Sequence, residues 1–106
     1  MKFKSIKISK PAEIDLKKTA AYTSKEWGEL QKKAYLDLFK QFFLTLSHSQ
    51  NNDNVLPLIK DQKEIDKGLL SYSIKKHVVY FRETEDEFTI VRILHSQMDH
   101  EQHLNE

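Results

Sequence analysis

The stretch that decides the fold is residues 68–94, which read GLLSYSIKKHVVYFRETEDEFTIVRIL. Leu70, Tyr72 and Ile74 alternate with serines, and the runs at 77–82 and 88–94 are rich in β-branched and aromatic residues. An apolar residue at every second position indicates a strand with one buried face, and the polar segments between the runs have the length of turns. We therefore predict a three-stranded antiparallel meander, followed by a short helix at 98–104.

The upstream half of the chain has helical rather than strand-like spacing. Residues 12 to about 25 and 29–46 carry apolar side chains three and four positions apart, which places them on one face of a helix. Ser24 and Gly28 bracket a predicted break, so the two helices should fold back as a hairpin. The stripe of the second helix is wide: Leu30, Ala34, Tyr35, Leu38, Phe39, Phe42, Phe43 and Leu46.

The remaining segments complete an α+β prediction. Ile6 and Ile8 alternate with Lys7 and indicate an N-terminal strand, residues 47–54 are polar enough for a loop, and residues 55–67 look irregular. A helical hairpin and a meander each have one apolar face to bury, and packing one on the other buries both. We expect an N-terminal strand, the hairpin packed on the meander and a short C-terminal helix, all in a single domain spanning 1–106.

Composition excludes several functional classes. The chain has 106 residues, with 17 basic against 16 acidic, and this balance disfavours direct sequence-specific nucleic-acid binding. There is no cysteine, so neither disulfides nor thiolate metal sites are possible. We predict no metal, no cofactor and no membrane association, since no apolar run approaches the ~20 residues of a spanning helix. The expected location is the cytoplasm.

Several strings, taken in order, resemble ParE toxins of type II toxin–antitoxin systems, within the RelE/ParE superfamily. In the C-terminal half they are residues 77–82, 90–95, Met98-Asp99 and His103-Leu104. In the N-terminal half they are residues 9–13, Asp15-Leu16, Tyr22-Thr23, Trp27-Gly28, Gln31 and Tyr35. The resemblance covers nearly the whole chain outside residues 47–67.

This resemblance implies a toxin that a cognate ParD-like antitoxin holds inactive in a hetero-oligomer. It further implies that the freed toxin poisons DNA gyrase, blocks replication and so serves plasmid or chromosome maintenance. Toxins of this family are covered by an antitoxin tail, for which Trp27, Tyr35, Phe39 and Phe43 are the candidate contacts. The alternative interpretation of this apolar set is a helix stripe that belongs to the core.

Two other functions remain open. Relatives in the RelE branch are ribosome-dependent mRNA interferases, and Arg82, Arg92 and His95 would then be catalytic, because cations stabilise charge on a scissile phosphate. The segment that follows His95 favours the ParE branch, where activity comes from binding and no catalytic residue is needed. A decayed toxin that binds only its antitoxin is the third possibility.

The polar candidates for contact with a target are Lys75, Lys76, His77, Arg82, Arg92 and His95. Each has a structural alternative. The two lysines form a turn that solvent alone could explain, and the arginines could pair across strands with Glu83 or Glu87. His95, His100 and His103 lie close in sequence, but without further ligands they are predicted to be surface or capping residues.

Overall fold

The structure is a computed structural model that describes residues 4–48 and 58–105. Its elements, in chain order, are β1 Ser5–Ile8, α1 Lys10–Trp27, α2 Glu29–Ser47, β2 Lys60–Asp61, β3 Leu70–Ile74, β4 His77–Glu83, β5 Glu87–His95 and α3 His100–Leu104. The predicted N-terminal strand, helical hairpin, meander and C-terminal helix are all confirmed. Most of the predicted loop at 47–54, and residues 55–57, lie outside the described part of the chain.

The two helices are separated by a single residue. Ser9 caps α1, because its Oγ accepts a hydrogen bond from the Ala12 amide at 3.2 Å, and α1 therefore begins two residues before the predicted start. Ser24 does not interrupt it, since its carbonyl accepts from the Gly28 amide at 2.9 Å and closes the last turn. Gly28, with φ 89° and ψ 172°, then reverses the chain into α2.

The sheet has five strands in the order β1-β5-β4-β3-β2. The meander β3-β4-β5 is antiparallel, and β1 joins it in parallel with Ser5 opposite Glu87. The prediction that residues 55–67 are irregular is wrong at Lys60–Asp61, which pair with Ser71 and Leu70 as an edge strand. Two residues are too few to show the alternation that marks a strand in a sequence. This strand is defined only by its backbone pairing with β3.

Apolar side chains are buried on both faces of the sheet. The hairpin covers the larger cluster, which includes Phe39, Phe42, Phe81 and Ile90. The opposite face holds a smaller cluster of Leu69, Tyr80 and Leu94, against which Leu104 of α3 packs. The second cluster explains why the apolar runs of β4 and β5 alternate imperfectly.

A β-bulge in β5 sets the direction of every later side chain in that strand. Opposite it, Tyr80 pairs with Arg92 while the next residue of β4, Phe81, pairs with Ile90, so Val91 is the extra residue. Ile90 and Ile93 consequently both belong to the hairpin-side cluster, whereas Leu94 lies on the other face. Without the bulge, Arg92 would share the face of Ile90 and point into the core.

Candidate functional site

Helix and sheet residues meet in a pocket of about 570 Å³ where the hairpin reverses. We call it the bend pocket. The hairpin contributes Tyr22, Trp27, Tyr35 and Leu38. The sheet contributes the turn between β3 and β4 together with the end of β5, namely Lys75, Lys76, His77 and His95. The pocket therefore brings together four of the six predicted target contacts and two of the four predicted antitoxin contacts.

At the back of the bend pocket, His77 is held by hydrogen bonds at both ring nitrogens. The Tyr35 hydroxyl lies 2.5 Å from its Nδ1, and the Thr19 hydroxyl lies 3.4 Å from its Nε2. Burial, assisted by nearby His95 and opposed by Asp15, lowers the pKa of His77 to about 4. The imidazole is therefore neutral at physiological pH and connects α1, α2 and β4.

Tyr35 is fixed by the same arrangement. Its ring packs edge-on against Phe39 at 5.3 Å between centroids, and burial raises the pKa of its hydroxyl despite an opposing backbone hydrogen bond from Lys76. The hydroxyl consequently stays protonated and can donate to Nδ1 of His77. Tyr35 and His77 together form the rigid floor of the pocket.

The rim of the bend pocket is apolar and open to solvent. Trp27, the only tryptophan, is 71% exposed, and Tyr22 beside it is also exposed. Two large aromatic side chains that are exposed on the wall of one pocket mark interaction surfaces more often than single scattered apolar residues do.

The turn opposite this rim has an unusual backbone. Lys75 has φ 54°, and it is the one non-glycine residue with positive φ among residues 4–48 and 58–105. Two-residue hairpins place glycine, asparagine or aspartate at such positions, because a β-carbon there costs conformational energy. A lysine at this point is therefore held in a conformation that its side chain disfavours.

Arg92 lies away from the bend pocket, in an ion pair with Asp15 of α1. Its Nε lies 2.8 Å from Oδ2 of Asp15, its Nη2 lies 3.1 Å from Oδ1, and its Nη1 donates to the His103 carbonyl at 2.8 Å. Asp15 Oδ2 also accepts a hydrogen bond from the Ile93 amide at 2.9 Å. This amide lies on the edge of β5 beyond the last residue paired with β1, so the carboxylate takes the place of a strand partner there. Arg92 thus joins α1, β5 and α3.

Arg82 is also engaged elsewhere, with the Asp66 carboxylate and the Lys67 carbonyl. The structural alternative for the two arginines was cross-strand pairing with Glu83 or Glu87. The contacts in the described part of the chain instead join Arg82 to Asp66 and Lys67, and Arg92 to Asp15 and His103. Each arginine also lies on the face opposite His95. Arg92 is three residues from His95 along β5, and Arg82 is five residues along β4 from His77, the partner of His95.

A second apolar groove, the helix groove, lies between α1, α2 and β1. Its volume is also about 570 Å³, and it is lined by Ile8, Leu16, Phe43 and Leu44 with Lys17 and Lys40 beside them. Phe43, a predicted antitoxin contact, lies in this groove. Phe39 is only 1% exposed and forms part of the core beneath it.

The histidines near the C-terminus have structural partners. His100 links the Tyr80 hydroxyl, 2.5 Å from its Nδ1, to the His95 carbonyl, 2.7 Å from its Nε2. In the described ranges, no group of three or more His, Asp or Glu side chains is arranged to hold a metal ion. No helix in the same ranges is long and apolar enough to cross a membrane.

Two residues of this surface could not be selected from the sequence. Tyr22 enters the sequence analysis only within the resembling string Tyr22-Thr23, and helical spacing did not set it apart. Asp15 enters the sequence analysis only within the string Asp15-Leu16 that carries the family resemblance, because its partner Arg92 is 77 positions away. The feature that distinguishes Asp15 is the burial of its carboxylate on a helix that faces the core. Burial is known only from the folded structure, so the sequence alone did not reveal it.

Comparison with known proteins gives two findings. The family model described as "ParE toxin of type II toxin-antitoxin system, parDE" matches residues 6–100. A solved structure titled "Chromosomal ParDE TA system from P. aeruginosa" matches with a TM-score of 0.63 and 18% sequence identity, covering 90% of this chain and 98% of that one. That likeness is one of fold. No curated protein matches the chain.

Proposed function

We propose, because the chain belongs to the ParE toxin family of type II toxin–antitoxin systems, that it poisons DNA gyrase when free and is neutralised by a cognate antitoxin. The observation that carries this proposal is the family match over residues 6–100. Gyrase poisoning would trap cleaved DNA and block replication, in the cytoplasm where gyrase acts. The chain would act as a single domain.

The positions of the polar residues support a toxin that acts by binding. A nuclease would need cations converging on one phosphate. Arg82 and Arg92 instead lie on the face opposite His95, and each is held by a carboxylate, Asp66 and Asp15 respectively. His77 is also engaged through both ring nitrogens. Among the candidate contacts, Lys75, Lys76 and His95 remain at the surface of the bend pocket.

The helix groove supports the antitoxin part of the proposal. It is apolar along its length, and Ile8 and Leu44 on its sides are exposed. Lys17 and Lys40 beside it suit a segment with an apolar stripe flanked by acidic residues. We propose that such a segment of a ParD-like antitoxin covers this groove, with Phe43 as a contact, and forms a hetero-oligomer.

The gyrase proposal is tested with purified toxin in a supercoiling assay that also detects cleaved DNA. Loss of supercoiling with accumulation of linear DNA is the expected result. Normal supercoiling in the presence of a large molar excess of folded toxin would contradict it. Toeprinting on translating ribosomes is the parallel measurement, and cleavage at the ribosomal A site would establish the interferase alternative instead.

The antitoxin proposal is tested by Leu44→Glu in the helix groove. Because Leu44 is already partly exposed, the variant should fold and remain toxic, yet resist neutralisation when the antitoxin is co-expressed. Leu30→Glu is the matched control, since Leu30 is exposed on α2 but lies outside this groove. Equal rescue of both variants by antitoxin would refute the assignment. If expression of the unaltered toxin without antitoxin leaves growth unaffected, the chain is a decayed toxin.

A further inference from the structure

We propose that the bend pocket binds an acidic segment of a partner protein that inserts one bulky apolar side chain. The inference deepens the proposed function by naming the chemistry of a partner. It rests on the proposed function only because a toxin of this family is expected to bind a partner protein, and it does not require that partner to be gyrase. Two independent features carry it, the exposed apolar rim and the strained lysine turn.

The apolar rim favours insertion of a side chain. Trp27 and Tyr22 are exposed beside a pocket of about 570 Å³, which lies within the usual range for ligand pockets of roughly 300–1,000 Å³. The floor is preorganised, because Tyr35 and His77 hold each other at 2.5 Å. A partner side chain entering there would bury the rim residues, and tryptophan and tyrosine are the types that most often dominate interface energies.

The lysine turn defines the charge of the partner. Lys75 and Lys76 line the same pocket, and neither forms an ion pair with a carboxylate in the part of the chain that the structure describes. Two unneutralised cations beside an apolar pocket complement carboxylates that flank an apolar residue.

The backbone of Lys75 strengthens this inference. Positive φ is a conformation that glycine adopts without cost, whereas lysine does not. Strained residues persist where surrounding structure imposes them, and they cluster at functional sites. The proposal accounts for a lysine at this strained position by assigning its ammonium group a contact with the partner.

A nucleic acid is the less suitable occupant. Phosphate backbones are bound by many cations, and this pocket offers two lysines and a neutral His77 in a mainly apolar wall. The whole chain is close to charge balance, with 17 basic and 16 acidic residues. A protein segment with one apolar residue between acidic ones matches the wall and the rim together.

The test uses the full chain and a fluorescein-labelled pentapeptide in which one phenylalanine lies between two pairs of glutamates. Binding is measured by fluorescence anisotropy, and the emission of Trp27 reports it independently because it is the only tryptophan. We expect saturable binding in the millimolar range or tighter, with a blue shift of Trp27 emission. Salt should weaken it. Absence of saturable binding overturns the proposal.

Matched probes and variants separate the contributions. Replacing phenylalanine by alanine, or the glutamates by lysines, should each weaken binding at least about threefold to tenfold. The double substitution Lys75→Gln/Lys76→Gln should do the same, while Lys60→Gln/Lys63→Gln should not, because these two exposed lysines line neither the bend pocket nor the helix groove. Equal binding of these peptides or variants, or tighter binding of an oligothymidylate than of the acidic peptide, contradicts the proposal.

Lys75→Gly distinguishes a binding role from a structural one. Glycine accepts positive φ, so this variant should unfold at the same or a higher urea concentration than the unaltered protein. Its affinity for the acidic peptide should nevertheless fall about threefold or more. Unchanged affinity in Lys75→Gly would show that the lysine serves only the turn. Failure of the gyrase assay would leave this result unaffected.

Discussion

Substitution of Asp15 by asparagine should destabilise the fold more than any surface change in the molecule, because this carboxylate joins three segments. Oδ2 of Asp15 receives both the Arg92 Nε and the Ile93 amide, and Oδ1 receives the Arg92 Nη2 at 3.1 Å. An asparagine oxygen in the place of Oδ2 can keep the first two hydrogen bonds. Its amide nitrogen would then face Nη2, donor against donor, and the Arg92 guanidinium would lose the charge of the Asp15 carboxylate.

The magnitude follows from the burial of the pair. The side chains of Arg92 and Asp15 are only 14% and 9% exposed. Breaking a buried pair by removing one partner typically costs about 3–5 kcal/mol. Because Arg92 retains the His103 carbonyl, we expect the lower end, about 3 kcal/mol. In a domain of this size that corresponds to a fall in Tm of roughly 12–24 °C.

The assay is urea and thermal unfolding followed by far-UV circular dichroism. Glu13→Gln is the control, since it makes the same chemical change on the same helix where the pair with Lys17 spans 3.9 Å and is exposed at both ends. It should alter the free energy of unfolding by less than about 1 kcal/mol. Arg92→Gln and the double variant complete a cycle with an expected coupling of about 2 kcal/mol. A loss below about 1 kcal/mol in Asp15→Asn, or strict additivity, would refute the reasoning.

Three further outcomes are expected. Folding lowers the pKa of His77 to about 4 from the 6.5 of an unperturbed side chain, so the unfolded chain binds more protons between those pH values. The stability that His77 contributes should be complete above pH 6.5 and fall by about 1–2 kcal/mol towards pH 4, after allowance for the partial exposure of the side chain. His77→Gln should flatten that part of a profile of urea midpoint against pH. Tyr35→Phe removes the 2.5 Å hydrogen bond to His77 and should cost about 1–2 kcal/mol in the same assay, and an unchanged midpoint would contradict the role of this bond. Gly28→Ala should cost about 1–3 kcal/mol from backbone strain alone, because no atom of the described residues lies within 4 Å of an added β-carbon. Gly28→Asn should be no better tolerated, since this region of backbone space is essentially limited to glycine.

Helices and strands were predictable because their signals are local. The spacing of three and four in residues 12–46 and the alternation after Gly68 each arise from neighbouring residues, and the predicted helices and meander strands all form, with α1 extended at both ends. The edge strand Lys60–Asp61 was missed for the opposite reason. Its hydrogen bonds come from Ser71 and Leu70, and its own two residues carry no pattern.

The candidate site was predictable as a set of residues, but its grouping was not. Lys75, Lys76, His77 and His95 were named as target contacts and Trp27 and Tyr35 as antitoxin contacts, and the fold places all six in one pocket. Packing also gave them different positions, with His77 and Tyr35 in the floor and Trp27 on the rim. Contacts between α1, α2 and the β3–β4 turn decide this, and no local pattern records them.

By itself, the sequence determined the helices, the meander, their order and the toxin family, because propensity, periodicity and ordered motifs are properties of neighbouring residues. The tertiary structure alone decided where the charges lie. The bulge at Val91 turned Arg92 away from the face of Ile90, and Asp15 then met it from 77 residues away. A strand's alternation predicts faces only while its register is unbroken, and the break is set by pairing with β4.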